Sequence, residues 1–119
     1  MKPRIIVCAT FLLNHLIFSP AAAGMENISG AYLKKICASY DDIPENPADG
    51  MCIGYVVGVM SMMDYIEVLC VPDKITHAQA TLVVKQHLSD HPEKLHLNAE
   101  ELVIDALEEG FPCHNLSRG

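Results

Sequence analysis

Cysteines and histidines are the residues of this chain whose types and spacing could do chemistry. Cys37, Cys52, Cys70 and Cys113 each stand where a helix is expected to start or stop, and Cys8 lies in the leading apolar segment. A cysteine is a nucleophile only as a thiolate beside a base. An even set behind an export signal reads instead as a disulfide framework in an oxidising compartment. His87 and His91 are four residues apart, with His96 nearby. Zinc needs three or four converging ligands, and Pro92 breaks the helix directly after His91. These histidines are therefore read as surface and capping residues, and no metal or cofactor is expected. No glycine-rich phosphate loop and no Gly-x-Ser-x-Gly turn is present, so no catalytic residue is assigned and an enzyme is not expected.

The elements that position these residues begin behind an export signal. Lys2 and Arg4 give a positive start, and Ile5 to Phe18 is apolar apart from Thr10, Asn14 and His15. Ala21-Ala22-Ala23 offers a cleavage site. The expected cut follows Ala23, so that residues 1–23, with Cys8, are removed and residues 24–119 form one domain. The apolar run is short for a membrane anchor. The chain carries 8 basic and 15 acidic residues, a net charge of −7, and losing Lys2 and Arg4 leaves it more acidic still. That balance excludes nucleic acid and an anionic membrane surface as partners, and it suits a basic protein partner.

Periodicity predicts an all-α domain of four helices. Leu33, Ile36, Cys37 and Tyr40 line one face of a first helix, with Ser29 or Asn27 as N-cap, ending near Tyr40. Asp41 to Gly50, with two prolines, a glycine and four acids, reads as a polar loop. Met51 to Leu69 is apolar on nearly every side, as expected of a buried central helix. Within it Gly54 and Gly58 would let another helix approach closely. Packing inside the chain is the first expectation there, and a dimer seam the second. Thr76 and Gln79 form a capping box for a third helix reaching about Ser89. Asn98 and Glu101 form a second box for a fourth, which Gly110 closes as a C′ glycine. Short connections make neighbouring helices antiparallel, an up-down arrangement.

That topology selects the disulfides. Cys52 and Cys70 bracket one expected helix, about 27 Å long at 1.5 Å per residue, far beyond disulfide reach. In an up-down order Cys37 and Cys52 flank the first loop at one end, while the fourth helix returns Cys113 to the Cys70 end. The expected pairs are Cys37–Cys52 and Cys70–Cys113.

Several elements together resemble the Rap/Tai family of immunity proteins, small exported helical proteins. The resemblance lies in Cys52-Ile53-Gly54-Tyr55-Val56-Val57-Gly58-Val59 and Cys70-Val71-Pro72. It continues through Thr76 and Gln79 to His91-Pro92-Glu93-Lys94-Leu95-His96, and ends in Phe111-Pro112-Cys113. The chain departs from the family pattern at Met60-Ser61-Met62-Met63, where an acid is expected. The resemblance implies a periplasmic inhibitor of a peptidoglycan amidase delivered by type VI secretion, with homodimers in the family. Loops on a rigid scaffold are the natural contact points. The turn carrying Asp90, His91, Glu93, Lys94 and His96 is the expected insert into the amidase cleft. The acidic loop with Asp41, Asp42 and Glu45 would steer the approach. Two other classes fit an exported helical domain: an acid-stress or holding chaperone, which the methionines could serve, and an envelope structural subunit.

Overall fold

The computed structural model describes residues 26–113. The expected export signal, with Cys8, lies outside these residues, as does the end of the expected domain. The described residues form four helices: α1 (Gly30–Ile36), α2 (Pro47–Tyr65), α3 (His77–Asp90) and α4 (Ala99–Gly110). A 3-10 turn, Pro92–Lys94, lies between the last two. Every helix touches the other three. Their shared core holds Leu33, Cys37, Tyr40, Cys52, Val56, Val84, Leu88, Leu102, Val103 and Leu107. The two disulfides are Cys37–Cys52 and Cys70–Cys113, with Cα atoms 5.0 and 5.2 Å apart, the pairs that the up-down order required.

Local chemistry sets most of the boundaries. Ser29 caps α1, its hydroxyl accepting from the Tyr32 N–H at 3.2 Å. Thr76 and Gln79 make both bonds of the capping box at α3, 3.1 and 2.9 Å. Three helices differ from expectation at their ends. First, α1 stops at Ile36, not near Tyr40, because the chain turns at Cys37 to reach Cys52. Tyr40 is still fully buried in the core, and Lys85 Nζ donates to its carbonyl at 2.6 Å. Second, α2 begins inside the stretch expected to be loop. Asn46 is its N-cap, accepting from the Asp49 N–H at 3.0 Å, and Pro47 takes a first-turn position where no N–H is needed. The same helix ends at Tyr65, short of Leu69, and Glu67 beyond it is left-handed at φ 59°. Third, the Asn98 side chain makes no capping bond. Backbone replaces it: the Ala99 N–H donates to the Ile28 carbonyl at 2.7 Å, beside a bridge between Ser29 and Asn98.

The short α1 spans about 10 Å at 1.5 Å per residue, too little to run the length of α2. Both its ends stay at one end of the bundle. The Gly30 N–H donates to the Leu97 carbonyl at 2.9 Å, while Cys37 at the other end is bonded to Cys52 near the start of α2.

Two glycine expectations are corrected. Gly110 is not a left-handed C′ residue; no described glycine has positive φ. It is the last residue of α4, and a Cβ there would lie 2.7 Å from Val83 Cγ1 on α3, so its value is close helix approach. Gly54 and Gly58 do not pack inside the chain. A Cβ at either would meet nothing within 4 Å. Nor is α2 buried all round. Its buried stripe is Asp49, Cys52, Val56 and Met60. The opposite face, Met51, Gly54, Gly58, Met62 and Tyr65, is exposed.

Glycine substitutions should therefore act in opposite directions. A Cβ at Gly30 would strike the buried Leu102 side chain and lie 3.2 Å from Leu95 backbone atoms. Gly30→Ala is expected to cost about 1–3 kcal/mol by overpacking. Gly54→Ala and Gly58→Ala are each expected to stabilise the monomer by roughly 0.5–1 kcal/mol, because only the helix-interior penalty of glycine is removed. Urea denaturation at dilute concentration checks both signs.

Candidate functional site

The acidic loop is held by a network that the sequence concealed. Asp49 sits in the first turn of α2 and is buried. One carboxylate oxygen accepts from Ser39 Oγ at 2.5 Å. The other accepts from the Glu45 N–H at 3.1 Å and from Asn46 Nδ2 at 2.8 Å. These bonds, the Ser39 hydroxyl foremost and then the Glu45 N–H, hold the carboxyl below its ordinary value of 3.8 despite burial. Asp41, Asp42 and Glu45 point into solvent on this frame. Asp42 has φ 90°, an unfavourable conformation for a residue with a side chain, and its carbonyl accepts from Tyr40 Oη at 3.0 Å. Burial first, then the charges of Asp42 and Asp49, raise the Tyr40 phenol above its usual value.

The turn after α3 is equally well anchored. The Leu95 and Leu97 carbonyls accept from the Ala31 and Gly30 N–H groups at 2.8 and 2.9 Å, so the turn is tied to the start of α1. Its polar side chains divide by role. Lys94 pairs with Asp105 at 3.5 Å, and Asp90 accepts from Gln86 at 2.8 Å. Glu93 and His96 are exposed. His91 turns back toward the helices, its ring 4.3 Å from that of His87. The Glu93 carboxyl is held below its ordinary value by its own backbone N–H first and His91 second.

His87 is a correction to the sequence reading, which placed the histidines at the surface. It is buried, and its Nδ1 lies 3.1 Å from Glu109 Oε2 on the last turn of α4. His91 Nε2 is 4.0 Å from the same oxygen. His96 takes no part in this cluster, and Glu109 does. No local pattern links Glu109 to His87. The link needs α3 and α4 to be antiparallel with Gly110 against Val83.

No described helix is long and apolar enough to cross a membrane. The surface carries two tethered polar loops and an apolar strip on α2.

Stability should follow the Asp49 carboxyl through acid. Its folded value is depressed, so its contribution is complete above the ordinary aspartate range and is lost as pH falls through the lower, folded value. Asp49→Asn is expected to melt below the parent at neutral pH, and the gap to close below about pH 4. Melting curves of both proteins across that range are the check.

Comparison with known proteins agrees with this picture. The family described as Rap1a immunity proteins matches residues 29–113, from the N-cap of α1 to the last described cysteine. No curated protein and no solved structure matches the chain. With most of its length matched, the stapled four-helix chain belongs to the Rap1a immunity protein family, whose role is immunity against an effector of type VI secretion.

Proposed function

We propose that this chain is a periplasmic immunity protein that binds a peptidoglycan amidase delivered by type VI secretion and blocks its cleft. The family match over residues 29–113 carries the reading. Two disulfides suit an oxidising compartment. On this reading residues 1–23 direct export and are cleaved, and residues 24–119 act as the immunity domain. The chain does no chemistry of its own. Cys37, Cys52, Cys70 and Cys113 are all bridged and offer no thiolate.

Glu93 and His96 on the anchored turn are the proposed insert, with Asp90, His91 and Lys94 shaping its base. Asp41, Asp42 and Glu45 attract a basic rim on the partner, which raises the association rate more than the affinity. The purified domain is expected to inhibit a co-encoded amidase near one-to-one. Alanine at Glu93 and His96 together should weaken the complex by at least ~2 kcal/mol, about thirty-fold, if either is a hot spot. Neutralising Asp41, Asp42 and Glu45 should slow association and flatten its salt dependence. Undiminished inhibition by the Glu93/His96 variant sends the search to the acidic loop. Protection of acid-unfolded clients without any amidase inhibition favours the holding-chaperone reading.

The exposed α2 strip is proposed as the seat of a second copy. Its small residues permit close helix approach, and Met62, in the segment that departs from the family pattern, is 62% exposed beside Tyr65 at 85%. A two-fold axis would set this face against itself. Sedimentation should find a dimer that Gly58→Lys reduces to a folded monomer. A parent protein that stays monomeric at high micromolar concentration defeats the idea.

A further inference from the structure

The groove between α3 and α4 brings together His87, His91 and Glu109, a set that toxin binding by the turn does not account for. His87 lies in the last turn of α3 and His91 is its C-cap residue, and Glu109 faces them from α4. One ligand atom from each, Nδ1, Nε2 and a carboxylate oxygen, falls within 4.8 Å of the other two. At metal–nitrogen distances near 2.0 Å, two ligands of a tetrahedral ion sit about 3.3 Å apart. The separations from Glu109 Oε2, 3.1 Å to His87 and 4.0 Å to His91, lie on either side of that value, and side-chain rotation brings the three atoms onto one ion.

The hydrogen bonding around the cluster points the same way. A carboxylate can only accept, so His91 Nδ1 must donate to Glu93 Oε1, at 3.1 Å. In the neutral ring that leaves a lone pair on Nε2, 4.0 Å from a carboxylate oxygen of Glu109. Two acceptors face one another there, and a cation between them resolves the conflict. Carboxylate support of the far nitrogen is also the usual way a protein orients a metal-binding histidine. His87 Nε2 is buried without a partner among the described residues, so the polar bonding of that ring runs through Nδ1. No lysine or arginine lines the groove, which carries Asp90 as well as Glu109 and encloses about 290 Å³.

We propose that His87, His91 and Glu109 bind one divalent transition-metal ion of the zinc type, joining α3 to α4 at the base of the 90–96 turn. Two imidazoles and one carboxylate favour zinc, nickel or copper over calcium and magnesium, which take oxygen ligands. The ion takes the place of the hydrogen between His87 Nδ1 and Glu109, and the neutral ring shifts to the tautomer that carries its single hydrogen on Nε2. Three protein ligands leave a fourth position open to water from the groove mouth. This site is independent of which toxin the chain binds.

The test uses the oxidised, tag-free exported chain, stripped with chelator and titrated calorimetrically with zinc chloride. One zinc per chain is expected, together with a melting point that rises with zinc concentration by mass action. Magnesium and calcium should have no effect. Glu109→Gln and His91→Ala change partly exposed residues. Each should fold as the parent does without metal and lose zinc binding. Glu93→Gln should weaken zinc about 10–100-fold while keeping one site. His96→Ala should leave binding unchanged. Absence of zinc binding by the folded parent overturns the proposal. So does binding undiminished in both Glu109→Gln and His91→Ala, or binding lost in His96→Ala.

Discussion

The buried bond between Cys37 and Cys52 is the constraint on which the rest of this structure depends. Both residues are in the core, so the bond does more than close a loop. It fixes a seven-residue helix, too short to be stable alone, against the start of the longest one. By loop-closure entropy it contributes about 3 kcal/mol. Once α1 is fixed there, Leu33 and Ile36 are committed to the core, and the segment between the two cysteines must fold back on itself. The Asp49 network completes that fold, holding Ser39, Glu45 and Asn46 at one carboxylate. Cys70–Cys113 has a different setting. It lies nearer the surface, closes a sequence separation of 43 residues, and secures the end of α4 to the segment that follows α2.

From this frame the placement of the two polar loops follows. The acidic loop and the 90–96 turn both attach near the C-terminal half of α3. Lys85 holds the Tyr40 carbonyl at the entrance to the first, and Asp90 opens the second. Main-chain bonds to α1 tether the turn, and the buried Asp49 carboxylate tethers the acidic loop. A rigid loop loses little entropy on docking, which suits a protein that must silence a toxin before it acts. The apolar strip on α2 has another origin. A helix apolar on every side has only one face that this small bundle can cover, and the uncovered face is where the two glycines lie.

The sequence by itself determined the number of helices, the cap at Thr76, the disulfide pairing and the family, because each rests on local chemistry or on order along the chain. A helix period, a hydroxyl before a helix and a cysteine at an element boundary are all visible within a few residues. The break after α3 was legible for the same reason. Asn46-Pro47 was also a legible cap, hidden by the assumption that a proline-rich acidic stretch must be loop. Tertiary structure alone decided which side of α2 is buried, since an apolar helix without a polar face carries no periodic signal to orient it. It alone gave Gly110 its purpose, set by Val83 on another helix, and replaced the Asn98 side-chain cap by a backbone bridge to Ser29. It alone brought Glu109 to His87 and His91, because helix register across a turn is fixed by side-chain packing between elements, and no spacing along the chain records it.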